Sequence, residues 1–435
     1  MNAPTKEQSS SRSFGSPALD RRTLLGIGGA VGLAALAGCS AAATAGTSTG
    51  STAGTSSSSS SGNTQLSAGT YTATFSSSGG GDGPGGGGGG SQQLSGAYLV
   101  NGTSATIDGG TWASTTADQN VFLAVNGGSL TITNATITKS GDSSNEDACN
   151  FYGLNSAILV VDDGSSASLT DCTITTDADG ANAVFAAASG AITIDGITIR
   201  TSKDSSRGLD ATYTGTVTAK DVDITTAGAH CACLATDRGN GTIAVTGESR
   251  LASSGDGSPL VYSTGDISVA GATGTATGAQ TMVIEGKNKI SVDGCTFDTS
   301  GTTGMMVYQS FSGDAADSDA TAEKASLVIK DSSITSTTAK PMIYVTNTTC
   351  QIEVTSSKLT HPASTPLLSL AEDRWGTSGS NGGHAAVTFT DCTVKGALEA
   401  DASSSATVTL KSGHLTGGTS GDVEVTKDTS STWSH

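Results

Sequence analysis

One six-residue pattern, returning at near-constant spacing, restricts what this chain can fold into. It reads apolar, polar, Asp or Asn, small, Thr, apolar. Copies are Ile132-Thr133-Asn134-Ala135-Thr136-Ile137, Leu169-Thr170-Asp171-Cys172-Thr173-Ile174 and Ile194-Asp195-Gly196-Ile197-Thr198-Ile199. Val292-Asp293-Gly294-Cys295-Thr296-Phe297 and Phe389-Thr390-Asp391-Cys392-Thr393-Val394 continue the series, and looser copies end at Ile224, Ile334 and Leu359. Closing positions lie 25 residues apart from 174 to 199, 199 to 224 and 334 to 359. Gaps of 37 (137 to 174, 297 to 334) and 35 (359 to 394) fit one winding plus an inserted loop; the 73 residues from 224 to 297 fit three windings. The runs are short, β-branched and alternating, with Gly or Asp at their ends, which is strand patterning and not the 3.6-residue period of a helical solenoid.

A fixed period of this length means stacked windings. Each winding contributes short strands that pair with the windings above and below, about 4.8 Å away, and buries its apolar side only by stacking. Like residues then form vertical files. Cys172, Cys295 and Cys392 share one repeat position with Ala135, Ile197, Val222 and Ser332, and read as buried small residues, not ligands. A second strand column aligns Ala183-Val184-Phe185-Ala186 with Gly208-Leu209-Asp210-Ala211 and Cys231-Ala232-Cys233-Leu234. It continues through Pro259-Leu260-Val261-Tyr262, Thr281-Met282-Val283-Ile284, Met305-Met306-Val307-Tyr308, Pro341-Met342-Ile343-Tyr344 and Pro366-Leu367-Leu368-Ser369. The expected fold is all-β: a single-stranded right-handed parallel β-helix solenoid of about a dozen coils.

On these repeats the chain resembles the right-handed parallel β-helix, or pectin-lyase-like, superfamily over roughly residues 95–430. That resemblance implies a fold and leaves function open, because the fold carries lyases, hydrolases, adhesins and binding modules. Asp177-Ala178-Asp179-Gly180-Ala181 and Ser206-Arg207-Gly208-Leu209-Asp210 are similar to coil motifs of calcium-associated, polygalacturonate-binding β-helices. This implies acidic loop ligands and pectin-like glycans.

Composition suits a thin repeated core and not a thick one: of 435 residues 59 are Gly, 4% are aromatic and 14% charged. The net charge of −18 disfavours nucleic acid and anionic membrane. It keeps a repetitive β-protein soluble. Arg21 and Arg22 precede an apolar stretch, Leu24 to Gly38, too short to span a bilayer and shaped like an export signal. Arg21-Arg22-Thr23-Leu24-Leu25 resembles the twin-arginine export motif, with Asp20 departing from the usual Ser or Thr. Leu36-Ala37-Gly38-Cys39 resembles a lipobox, which implies lipidation of Cys39. Residues 40–66 are almost wholly Ser, Thr, Ala and Gly, a flexible tether.

The expected organisation is an export signal with lipobox (1–38), a lipidated cysteine and linker (39–66), an N-terminal strand and Gly-rich loop (67–94) and the β-helix (95–435). Thr70 to Phe75 is expected to cap the stack, and residues 311–325 and 372–384 to project as loops. Seven cysteines beyond Cys39, widely scattered and without C-x-x-C, do not form a disulfide framework or a zinc ribbon.

Candidate site residues follow the second strand column: Arg207 and Asp210, then His230, Asp237 and Arg238, then Glu285, Lys287 and Gln309. Acids beside Arg or Lys grip sugar hydroxyls and carboxylates through charge-assisted bonds; equally, such groups form local ion pairs on a solvated surface. Trp375, in Glu372-Asp373-Arg374-Trp375-Gly376, offers an exposed ring for stacking on sugars, or else covers the open side of the stack. Asp314, Asp317 and Asp319 are the leading calcium candidates, and Asp142, Glu146 and Asp147 a poorer cluster.

The expected function is a cell-surface lipoprotein that binds carbohydrate or acts as an adhesin. The alternatives are a polysaccharide lyase or glycoside hydrolase, tested first at Asp210 and Glu285, and a structural stalk. Expected partners are a polysaccharide or envelope glycan. The chain is expected to be a monomer that touches membrane through its lipid anchor.

Overall fold

The computed structural model describes residues 63–76, 90–310 and 322–435. Cys39, Arg21, Arg22, Asp314, Asp317 and Asp319 lie outside them. The described chain is an all-β parallel β-helix. Three long sheets, here A, B and C, contain 14, 13 and ten strands, and a three-stranded sheet continues the stack beyond C.

The recurring hexapeptide is the corner between sheets B and C. Its first two residues end a strand of B, its Asp or Asn makes the turn, and Thr begins a strand of C. Asn134, Asp171, Asp221, Asp331 and Asp391 all hold φ between 48° and 55°, the left-handed region that Asn, Asp and Gly tolerate. The small residue then points inward; Cys172, Cys295 and Cys392 are buried there. Where that residue is serine it binds the preceding winding: Ser332 Oγ accepts from Cys295 N and Ser357 Oγ from Ser332 N, each at 3.0 Å. All seven described cysteines are free and buried.

The file at the heart of sheet C runs as its spacing requires. Ile174 pairs with Ile137 and Ile199, and Ile199 with Ile224. Leu251 and Gly274 fill the two windings before Phe297, so the 73-residue gap holds three windings. Each such isoleucine, fully buried, contributes roughly 1.5–3 kcal/mol. In sheets B and C buried and exposed residues alternate, as in Ala191–Asp195.

Sheet A departs from that rule: strands such as Ile158–Val161, Val184–Ala187 and Met282–Glu285 are buried on both faces. The sequence alignment of this column slips for the same reason. Val184 pairs with Leu209 and Ile343 with Leu368, as aligned. Between them the register drifts: Leu209 pairs with Leu234, two residues from the aligned Ala232, Leu234 with Val261 and Met282 with Met305, each one residue from the aligned partner, and Met305 with Ile343, two residues from it. A one-residue slip exchanges inward for outward, and a strand apolar on both faces carries no parity to prevent it.

Segments from outside the repeat cover the outer face of sheet A. Gly69–Thr74 pairs antiparallel with Ser91–Gly96 and closes the edge of the sheet, as the expected N-terminal cap. The 37-residue gap from 137 to 174 contains the helix α1 (Glu146–Tyr152). Asn145 caps it by accepting from Ala148 N, and Gly153 ends it at φ 69°. Phe151 of α1 packs with Phe75, Leu159, Phe185 and Tyr213 in an apolar layer outside the stack.

Beneath α1, Lys139 is fully buried and donates from Nζ to the carbonyls of Thr116 (3.1 Å), Ser140 and Gly141 (3.0 Å). Burial lowers its pKa to about 8, and the Cys149 thiol is pushed up to about 12 by the same effect. Lys139→Met is expected to cost about 2–4 kcal/mol, because three carbonyls lose their donor; chemical denaturation measures it, and an unchanged midpoint contradicts it.

Candidate functional site

The candidate residues fall into two clusters on the outer face of sheet A, and both are buried. The first forms around Asp210, whose side chain points outward from Leu209–Thr212 in the file that carries Phe185 before it and Ala235 after it. Arg207 reaches under α1. Its Nε lies 2.6 Å from Asp237 Oδ2 and 3.6 Å from Asp210 Oδ2, and its Nη1 donates to Asn150 Oδ1 at 2.6 Å. Arg207 is 1% exposed, and Asp210 and Asp237 are not exposed at all. Arg238 lies with its guanidinium carbon 3.7 Å from the centre of the Phe151 ring.

This network ties α1 to three successive windings. Asn182 Nδ2 donates to Cys149 O at 3.0 Å, Thr212 Oγ1 to Phe151 O at 2.9 Å and the Ser205 hydroxyl to Glu146. Asp210 is held well above the ordinary carboxylate pKa, first by burial and then by the charge of Asp237, with Arg207 opposing. A neutral carboxyl beside an ionised one is what two acids in a dry site require.

The second cluster forms around Glu285, which is 1% exposed. It accepts from the hydroxyls of Tyr308 (2.8 Å), Tyr262 and Ser310. Tyr262 stands two windings from Asp210 in the same outward file, with Ala235 between them. Trp375 packs on Tyr308 at 4.7 Å and is 7% exposed. The expectation of an exposed Trp375 is therefore corrected: the ring covers the stack, because that side offers it the apolar surface of Met306, Val283 and Tyr308. Its segment folds back instead of projecting. Asp373 accepts from the Tyr344 hydroxyl at 3.0 Å, and Asn347 N donates to Asn381 O at 2.9 Å.

Of the remaining candidates, His230 makes a turn at φ 57°, its backbone N–H donating to Asp256 O, and Lys287 and Gln309 are half-buried, with Gln309 Nε2 donating to the carbonyl of Ser310 at 3.2 Å. Asp142 accepts from Asp179 N at 3.0 Å, while Glu146 and Asp147 occupy the first turn of α1, where acids suit the helix dipole. Among the described residues no group of three or more His, Cys, Asp or Glu side chains converges to hold a metal ion. No helix among them is long and apolar enough to cross a membrane.

No protein-family model, curated protein or solved structure matches this chain. Its chemistry is therefore read from its own faces.

The outer face of sheet C is open where that of sheet A is covered. Thr136, Thr173, Thr273, Thr296 and Lys358 are exposed along one outward file, and Thr138, Thr175, Thr225, Asp298 and Thr335 are half-exposed along the next. Midway, a shallow concave patch is floored by Ala252 and Gly274 and rimmed by Asp223, Arg250, Thr273, Thr275 and Asp298. Arg200 already binds Asp223 at 3.0 Å. Arg250 makes no ion pair or ring contact among the described residues. Sequence reasoning missed this patch, although Thr-x-Thr at 136–138, 173–175 and 273–275 was a signal for it.

Proposed function

We propose that this chain is a lipid-anchored surface protein that binds carbohydrate through the open face of sheet C. One observation carries the reading: hydroxyls and charges recur on that face at the strand spacing of about 4.8 Å, around a concave patch holding Arg250, which has no ion pair among the described residues. A polymer laid along the stack meets a fresh set of donors and acceptors at each winding, so many weak bonds add. The covered clusters support binding over catalysis. Asp210, Asp237 and Glu285 expose essentially no surface, and a polymeric substrate needs contact with the acids that cleave it. The likeness to pectin-lyase-like β-helices fits the same reading at the level of architecture.

The test is a pull-down of the exported domain with uronates and neutral polysaccharides. Binding without new unsaturated or reducing ends is expected. Arg250→Ala combined with Asp298→Ala is expected to weaken it at least about tenfold, equivalent to one charge-assisted hydrogen bond, with an unchanged melting temperature. Failure to bind any glycan, or full binding by the double variant, rejects this face. Anchoring through Cys39 is tested by fatty-acid labelling, which Cys39→Ala should abolish.

A further inference from the structure

We propose that the insertion carrying α1 is a proton-controlled latch: it stays docked on sheet A while the Asp210–Asp237 pair holds one proton, and loosens when that proton leaves. The geometry sets the terms. Asp210 and Asp237 are wholly buried and both face the Arg207 guanidinium, and neither oxygen of Asp210 has a well-aligned donor. Both carboxylates lie against the same Arg207 Nε, Asp237 at 2.6 Å and Asp210 at 3.6 Å, and two acids crowded into one dry site are held at least cost with a proton on one of them. The roof over the pair is α1. Arg207 holds both Asp237 and Asn150 of that helix, so a second negative charge below would compete for the same guanidinium. Removing the proton without opening the site would leave an added charge in a dry chamber, which costs more than exposing it.

Other ionisable groups lie around this site. Arg207, Tyr213, Cys231 (pushed up to about 12 by burial) and Arg238 come from the stack; Glu146, Cys149 and Tyr152 come from α1. Tyr213 is raised by burial, and Cys149 is pushed up to about 12, so neither changes charge near neutrality. Lys139, at the root of the insertion, titrates near 8, which confines a clean test to lower pH.

The sign follows from linkage. Docked, Asp210 keeps its proton above the ordinary carboxyl pKa; undocked and solvated, it releases it near 3.9. Its contribution to docking is thus fully present below about pH 4 and is lost as pH rises towards the docked-state value. Each pH unit across that window costs up to about tenfold in the ratio of docked to undocked forms.

Hydrogen exchange of residues 146–157 in the full exported chain, corrected for intrinsic rates, reads this ratio. Between about pH 5 and 7 the wild-type segment is expected to lose at least about tenfold in protection, while Ile174, Ile199 and Ile224 keep theirs. Asp210→Asn, neutral at every pH, is expected to keep the segment protected throughout; Asp210→Ser serves if the amide disturbs folding. Wild-type protection that does not change with pH overturns the proposal without recourse to any variant. So does an equal loss in wild type and Asp210→Asn.

Discussion

Arg207→Met is expected to lower the unfolding free energy by about 3–5 kcal/mol. The guanidinium is 1% exposed and lies 2.6 Å from both Asp237 and Asn150. Its removal strips a buried carboxylate of the cation beside it and cuts a tie to α1. The same reasoning predicts rescue. A variant with Arg207→Met, Asp210→Leu and Asp237→Leu should recover most of the loss, because an apolar replacement of a whole buried ionic group is often neutral or better. Denaturant titration followed at α1 and in the stack measures both, since a solenoid need not unfold in one step. An Arg207→Met protein within about 1 kcal/mol of wild type would show the network to be dispensable.

Phe297→Ala is expected to cost about 3–5 kcal/mol, the usual range for emptying a buried aromatic site. Its ring fills space vacated by the neighbour in its file. A Cβ on Gly274 would stand 2.6 Å from Leu260 Cδ1 and 3.1 Å from Phe297 Cδ1. Gly274→Ala alone should therefore destabilise by about 1–3 kcal/mol through overpacking. Combined with Phe297→Ala, its methyl enters the cavity, and the double variant should be more stable than the two losses summed by about 1 kcal/mol or more. Strict additivity in denaturation midpoints would mean that the two positions do not share that space.

The spread of legibility across the molecule has a physical pattern. The Ile137–Ile174–Ile199–Ile224 file was readable because sheets B and C have one wet face and one dry face, so alternation marks inward positions and the Asp or Asn turn fixes the register. The insertion at 141–157 was readable as a lengthened gap. Its helix was also marked, by Asn145, the acids at 146 and 147, and Gly153, though the signal is short. The buried site was legible only as a set of charged letters in the right column.

The sequence by itself determined the stacking, the corner between sheets B and C and the burial of the cysteines, since each follows from spacing, side-chain size and turn chemistry within one winding. Tertiary structure alone decided which face of sheet A is outward and that this face is roofed. It also decided that Arg207, Asp210, Asp237 and Glu285 are interior groups and not a surface band. The reason is that burial there is conferred by segments distant in the chain, α1 and the Trp375 loop. No local pattern records what will lie on top of it.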